Sequence, residues 1–234
     1  MRGRAAVTTV DPRDLERDLR EATSKEKALR WDEAAAFYGA LLAGLAPVDA
    51  EDRTGRGLRA TLRMRHANAL MELGRWDEAR RSLDEALGDA KASGQDDVLG
   101  QALIAAGVFA ANRDDNSRAE AFLRQALDLF HRRSDRPALQ GRGWAFINLA
   151  TLYGKTGRLD LAFVTMTKAQ DVLGAAENWA GVAAAWEAQA QIRRAIGDED
   201  RWREDLAEAI IFYDREGMNE KADRLRAMIG RKLV

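Results

Sequence analysis

A helical unit that recurs at near-constant spacing constrains the fold of this chain more than any other feature. The stretch ELGRWDEARRSLDEAL, residues 72–87, has glycine, alanine, leucine and alanine at relative positions −5, 0, +4 and +7. Related patterns surround four other anchor residues, and RWDEA occurs word for word at 30–34 and at 75–79. Helical units at such spacing indicate a repeat array. The five anchors, spaced by 45, 40, 43 and 40 residues, are Ala34, Ala79, Ala119, Ala162 and Trp202.

A second patterned segment precedes each anchor, so each unit is predicted to contain two helices. Two antiparallel helices approach to about 8–10 Å only where a small side chain admits a large one from the neighbour. The chain has only 3 prolines, and alanine, leucine, arginine and glutamate are plentiful, which favours an all-helical fold. The residue twelve positions before each anchor is small in every unit: Ala22, Ala67, Gly107, Ala150 and Ala190.

The pattern resembles the tetratricopeptide repeat, and it is clearest in FINLATLYGKTGRLDLAFVTMTKA, residues 146–169. The unit of that family has about 34 residues, whereas the units here have 40 to 45 and lack the proline that usually ends the second helix. An extension of each helix by about one turn of 3.6 residues accounts for the difference. The chain is therefore similar to the longer-helix variety found in scaffolds and in bacterial regulator sensor domains.

The resemblance implies an all-α fold, a right-handed superhelix or α-solenoid of about five antiparallel helix-turn-helix repeats. We expect the array to occupy 11–216, with units over roughly 12–48, 57–96, 98–135, 140–175 and 179–216. Residues 1–10 are expected to be a flexible N-terminus, and 217–234 a C-terminal capping helix and tail. The segments 46–57 and 131–143 are predicted loops, the second also a candidate hinge.

Composition and charge narrow the class of protein. The chain has no cysteine, which excludes disulfides and a cysteine nucleophile. Its 37 Lys and Arg are balanced by 38 Asp and Glu, so no nucleic-acid partner is expected. No uncharged run is long enough to span a bilayer, and the N-terminus lacks the apolar core of a secretory signal. We therefore expect a cytoplasmic protein without membrane insertion.

The chain carries no motif of a catalytic, cofactor or metal site. His66 and His131 have no paired ligand at helical spacing. The acidic stretches 114–117 and 197–200 lack the alternating ligands and the closing glutamate of a calcium loop. Both fall at a predicted turn, where acidic side chains favour the start of the next helix. We predict no cofactor, no metal and a non-enzymatic function, because no nucleophile, base and orienting group can be assembled.

The resemblance also implies a partner-binding face. In that family the first helix of each pair lines the concave surface, at positions −18, −15, −11 and −8 from the anchor. The centre of this surface is predicted to be moderately apolar, unless its apolar residues pack on the extended helices instead. The candidate partner-binding residues are Met64, Asn68, Met71, Gln101, Ile104, Val108, Trp144, Ile147, Thr151, Glu187, Gln191 and Arg194. Met64 stands where a carboxylate clamp has lysine, so that clamp is not carried over.

Three functions remain open on this basis. The first is a scaffold or adaptor that binds a peptide or helical segment of a partner protein on the concave face. The second is a regulatory sensor module whose shape changes when a peptide binds. The third is a structural protein that assembles into a homo-oligomer.

Overall fold

Helices account for the regular secondary structure in the described part of the chain. The structure, a computed structural model, describes residues 12–27, 30–45 and 52–230. Those ranges contain eleven helices and no strand, so the prediction of an all-α fold is confirmed. The helices are α1 (Pro12–Lys27), α2 (Trp31–Gly44), α3 (Arg53–Glu72), α4 (Trp76–Ser93), α5 (Asp96–Asn112), α6 (Asn116–His131), α7 (Arg136–Lys155), α8 (Leu159–Ala175), α9 (Trp179–Ala195), α10 (Glu199–Arg215) and α11 (Asn219–Gly230).

One hydrogen bond recurs in the turn between the first and second helix of each pair. The backbone N–H of the residue at position −4 donates to the carbonyl at position −9, which closes the end of the first helix. The bond is present in every pair. Its donors and acceptors are Arg30 and Lys25, Arg75 and Leu70, Asp115 and Ala110, Arg158 and Tyr153, and Asp198 and Arg193, at 2.8–3.0 Å.

The same turn explains the glycine of the sequence pattern. The bond from −4 to −9 requires a left-handed backbone at position −5. Gly74, Gly157 and Gly197 occupy it at φ of 70°, 75° and 78°. In the third unit Asp114 takes that conformation at φ 60°, which a residue with a Cβ adopts less readily. The aspartate that replaces glycine in the sequence pattern therefore occupies the same backbone position.

The repeat-phased residues form the core. All five anchors are at most 3% exposed, and the small residues twelve positions before them are buried. The positions +4 and +7 are buried as well, because they lie on the same helical face as the anchor. At +4 these residues are Tyr38, Leu83, Leu123, Met166 and Leu206.

The chain divides into two compact units, Met1–Phe109 and Ala110–Val234, with the boundary near the end of α5. In the first compact unit, one core cluster includes Tyr38, Leu62 and Leu70. A second cluster places Met64 among alanines of α3, α4 and α5. In the second unit, a cluster around Trp202, Leu206 and Tyr213 joins α9, α10 and α11.

Glycines set the close approach of α7, α8 and α9 within the second unit. A Cβ on Gly143 would overlap the side chain of Leu173, and a Cβ on Gly181 would lie 2.8 Å from Leu173 Cδ2. Near the other end of α7, a Cβ on Gly154 would lie 2.8 Å from Ile192 Cγ1. The absence of side chains at these three positions lets the helices pack closely.

The prediction of a loop or hinge over 131–143 is wrong for most of that stretch. Helix α7 begins at Arg136, and the Asp135 carboxylate accepts a hydrogen bond of 3.2 Å from the Ala138 N–H. Gly141 lies inside this helix, where a Cβ would overlap the ring of Phe130. Gly141 therefore lets α7 pack closely against Phe130 and does not form a turn. Helix α3 likewise begins at Arg53, inside the predicted loop 46–57, of which 46–51 lie outside the described residues.

Helix α11 packs against α10 at the C-terminal side of the second unit. Ala222 and Leu225 are fully buried in the cluster that α11 shares with α9 and α10. Elsewhere on the helix, Arg226 forms ion pairs with Asp223 and Asp214. Helix α11 thus has one apolar and one charged face, and its capping role stays a prediction. The predicted flexible N-terminus, 1–10, and the tail, 231–234, lie outside the described residues.

Candidate functional site

The predicted binding residues of the first compact unit lie on α3 and α5 and differ in exposure. Asn68 and Gln101 are exposed, and Ile104 and Val108 are half-buried. Met64 and Met71 are buried, at 9% and 7% exposure.

The predicted binding residues of the second compact unit lie on α7 and α9. Thr151, Gln191 and Arg194 are exposed, Glu187 is half-buried, and Trp144 is 40% exposed. Ile147, at 7% exposure, is buried. The exposed members of this set lie on one stripe of each helix, because they are spaced by three, four or seven residues.

The expectation that Met64 and Ile147 do not face the core is therefore corrected. Met64 packs among Ala60, Ala86, Ala90 and Ala102, whose small side chains leave room for it. Both residues occupy position −15, which the family pattern assigns to the open face. In the longer helices of this chain, that position turns toward the core in α3 and in α7.

Each of α3, α5, α7 and α9 exposes a stripe of its own at positions −18, −14, −11 and −7. These spacings of four, three and four residues follow the 3.6-residue period of an α-helix closely. The residues at −14 and −7 are absent from the predicted set, although a step of four residues, about one helical turn, from −18 and −11 would have identified them. Those residues are Arg65, Glu72, Ala105, Asn112, Asn148, Lys155, Ala188 and Ala195, each exposed or half-buried. The corrected stripe is more polar than predicted.

Helices α7 and α9 lie side by side and run in the same direction. Gly143 and Gly181 both approach Leu173 at the N-terminal side, and Gly154 approaches Ile192 at the C-terminal side. Gly143 and Gly181, which share Leu173, are 38 positions apart, and so are Gly154 and Ile192, which approach each other directly. The exposed stripes of the two helices therefore form one surface within the second unit, which we call the α7–α9 face. It carries the stripe residues Trp144, Asn148, Thr151, Lys155, Ala184, Ala188, Gln191 and Ala195 and, along the edge of the α9 stripe, Glu187 and Arg194.

Most charged groups of the α7–α9 face already have partners. Glu187 accepts hydrogen bonds from the Tyr213 hydroxyl at 2.8 Å and from Arg224 at 2.7 Å. Burial and the neighbouring Glu187 raise the pKa of the Tyr213 hydroxyl well above its usual range. The ammonium of Lys155 lies 2.7 Å from Asp114 and donates to a backbone carbonyl at 2.5 Å.

Arg194 is held by an aromatic ring. Its guanidinium lies over Trp202, 5.3 Å from the ring centroid, and Arg203 lies over the same ring at 5.7 Å. Arg203 also reaches Glu199 and Asp200, both at 3.8 Å. A guanidinium has five N–H donors, so its contact with a ring face leaves donors available to a ligand. Arg194 is thus a positioned cation on the α7–α9 face.

A polar network beneath this surface joins α9 to α10. Asp205, 5% exposed, accepts from Gln189 at 2.8 Å and from Arg193 at 3.1 Å. Burial raises the pKa of the Asp205 carboxyl, although both hydrogen-bond donors oppose that shift. Arg193 also pairs with Asp198 at 2.9 Å and lies over the Phe163 ring at 4.4 Å. The network fixes the end of α9 that carries Arg194.

The described residues do not bring together three or more histidine, aspartate or glutamate side chains that could hold a metal ion. Half-buried His66 faces Ser82, with 3.4 Å between Nδ1 and the hydroxyl oxygen. Burial and the nearby Arg75 lower the pKa of its imidazole. The Ser82 hydroxyl donates to the Arg63 carbonyl at 3.0 Å, so it serves as a structural bond between α4 and α3. Within the described ranges, every helix is too short or too polar to cross a membrane.

Neither the known protein-family models nor the curated protein sequences match this chain. Solved structures do resemble it. The crystal structure of BtubC (BKLC) from P. vanneervenii has a TM-score of 0.58 at 20% identity, over 94% of this chain and 83% of that one. Aspartyl phosphate phosphatase F from Bacillus subtilis has a TM-score of 0.61 at 12% identity, over 99% of this chain and 62% of that one.

A third crystal structure, of a Rap protein complexed with Competence and Sporulation Factor, has a TM-score of 0.50 at 12% identity. That match covers 89% of this chain and 71% of the other chain. At these identities the likeness shows the fold alone. The fold is that of a helical-repeat protein, which agrees with the recurring helix pairs described above.

Proposed function

We propose that this chain is a non-catalytic adaptor of the tetratricopeptide type, which binds a peptide or helical segment of a partner protein. The observation that carries the proposal is the α7–α9 face, where a 40% exposed tryptophan and the stacked Arg194 lie on otherwise small and polar helix stripes. Exposed aromatic and arginine side chains are enriched at protein interfaces because they supply large contact areas and directional hydrogen bonds.

The comparisons support a binding role without naming a partner. One of the similar structures is a Rap protein complexed with Competence and Sporulation Factor, so a protein of this fold holds a second molecule. Another similar structure is named a phosphatase, and we do not transfer that activity to this chain. For this chain we propose a binding function in the cytoplasm. Glu187, the acid of the α7–α9 face, already accepts hydrogen bonds from Tyr213 and Arg224, which fits a structural role better than a catalytic one.

Affinity capture from the native lysate tests the proposal with three baits: the wild type, a face variant and a matched control. The face variant is Trp144→Glu/Thr151→Glu, which changes two exposed positions of α7. The control is Leu161→Glu/Val164→Glu, which changes two residues of α8 that are 50% and 56% exposed. Circular dichroism must show equal helicity and equal melting for all three. Ile147 is avoided because a charge at a buried position would unfold the chain.

A partner held by the wild type and by the control, but lost by the face variant, is the expected result. Equal retention by the face variant, or loss by the control alone, contradicts the proposed face. If none of the baits captures a protein, the adaptor proposal fails. Light scattering over a range of concentrations then tests the homo-oligomer, and small-angle scattering with added peptides tests the sensor module.

A further inference from the structure

We propose that the α7–α9 face takes an extended peptide in which a carboxylate side chain and a large apolar side chain are about six residues apart, in either order. The carboxylate binds Arg194 and the apolar side chain packs on Trp144. This inference rests on the proposed binding function and adds the chemistry of the ligand to it.

The two contact points differ in chemistry. Trp144 offers an exposed ring at the N-terminal side of the face, with half-buried Ala184 on the neighbouring helix. Arg194 offers a guanidinium at the other side, and no described carboxylate lies within ion-pair distance of it, whereas Lys155 has one such partner and Arg203 has two. A carboxylate on the ligand is therefore the complement that the face lacks.

The register of the two helices gives the spacing between the contact points. Gly143, next to Trp144, lies beside Gly181, and Arg194 is 13 residues beyond Gly181 on α9. At a rise of about 1.5 Å per residue, Arg194 lies roughly 18 Å further along the helix axis than Trp144. The axes of packed helices lie about 8–10 Å apart, so the two residues are roughly 20 Å apart in all. An extended chain covers about 3.3 Å per residue and spans that distance in about six residues.

The surface between the contact points favours an extended ligand over a helical one. A helix on this face would present apolar side chains to Asn148, Thr151 and Gln191, which are polar. Asn148 and Thr151 each donate to a carbonyl of their own helix, at 2.8 and 2.9 Å, and their oxygens remain able to accept. An extended backbone has free N–H groups that these oxygens can bind, whereas a helix has already paired its own.

The test is selection of random twelve-residue peptides displayed on phage, with purified full-length chain as the target. The wild type is expected to enrich peptides with an acidic residue about six positions from a large apolar one, in one consistent order. The Arg194→Glu variant is expected to enrich a basic residue at that place. The most enriched wild-type peptide is then synthesised and its affinity measured by fluorescence anisotropy for further variants.

Arg194→Gln is expected to weaken that peptide by about tenfold or more, since a charge-assisted hydrogen bond is lost. Arg203→Gln is the matched control, because it removes the other cation from the same Trp202 ring, on α10. It is expected to change the affinity less than about twofold. Replacement of the peptide's acidic residue by its amide should give the same loss as Arg194→Gln, and the two losses should not add.

Three results would overturn the inference. Peptides that bind through Trp144 but tolerate Arg194→Gln would remove the carboxylate contact and leave the proposed function standing. Selected peptides that carry the acidic residue about twelve positions from the large apolar one, and that become helical when bound, would show that the ligand is a helix and not an extended chain. Selection of no peptide would exclude a short linear ligand, while the capture experiment would decide separately whether the face binds a folded protein.

Discussion

A single backbone position, −5 in the second to fifth repeats, determines how the first helix of each pair ends. Three glycines and Asp114 take the left-handed conformation there, and the N–H of the next residue then reaches back to the helix. The glycine of the repeat is visible in the sequence, but its role is conformational. No side chain lies within 4 Å of where a Cβ would stand on Gly157, so space plays no part.

Gly157→Ala is therefore expected to destabilise the chain by about 1–2 kcal/mol through backbone strain alone. The control is Gly88→Ala, in the exposed part of α4, where a Cβ also meets nothing within 4 Å. Because Gly88 is helical, alanine there should stabilise by roughly 0.5–1 kcal/mol. Urea unfolding followed by circular dichroism measures both, and the same sign for the two variants would contradict this account.

A second residue-scale prediction concerns Asp205, whose carboxyl has its pKa raised above the ordinary 3.8 by burial. A raised pKa in the folded state means that the fold favours the protonated form. The contribution of Asp205 to stability is therefore largest below pH 3.8 and falls as pH rises through the folded-state pKa. Asp205→Asn cannot ionise, so the free energy of unfolding of wild type minus that of the variant should fall over this window.

Denaturant unfolding at a series of pH values measures that difference. A difference that rises with pH would show that the bonds from Gln189 and Arg193 outweigh burial, and would contradict the prediction.

At the scale of elements, the close packing of α7, α8 and α9 around Leu173 depends on glycines that resemble loop residues in the sequence. Gly141 and Gly143 stand in the stretch ALQGRG, which follows a proline and contains two glycines, a composition that predicts a loop. The structure places both inside α7, in contact with Phe130 and Leu173. Periodicity predicts the helix pairs, but it does not distinguish a packing glycine from a turn glycine.

Gly143→Ala is expected to destabilise the chain by about 1–3 kcal/mol, because the new methyl group overlaps Leu173. Leu173→Ala alone should cost roughly 2–5 kcal/mol by leaving a cavity. The double variant should be more stable than the sum of the two losses predicts, since the methyl group enters the space that the leucine vacates. Thermal and urea unfolding of the four proteins gives the coupling energy, and strict additivity would contradict a direct contact.

The candidate face could be predicted only in part, for a reason that also lies at this scale. Asn68, Thr151 and Gln191, at position −11, are exposed as expected. Met64 and Ile147 are not, because position −15 turns inward on these longer helices. The sequence shows which helices carry the stripe, whereas its angular position depends on how the pairs pack. Arg194 belongs to the predicted set, but its contact with the Trp202 ring joins α9 to α10 and has no signal in the repeat pattern.

At the scale of the whole molecule, a repeat array is stabilised by contacts between neighbouring elements, so damage should remain local. Leu225 of α11 is fully buried against α9 and α10, and Leu225→Ala should cost about 2–5 kcal/mol there. Hydrogen exchange should accelerate in α9, α10 and α11 and remain nearly unchanged in α3 and α4, which belong to the other compact unit. Uniform acceleration over all helices would instead show that the chain unfolds as one cooperative body.

The exposed stripe of the first helices has an evolutionary consequence. Residues such as Trp144, Thr151 and Gln191 meet solvent, while the anchors and small residues that define the fold are buried elsewhere in the same repeats. Most substitutions at exposed positions change stability by less than about 0.5 kcal/mol. Substitutions at these surface positions can therefore accumulate by drift among descendants of this chain, while selection holds the buried repeat constant.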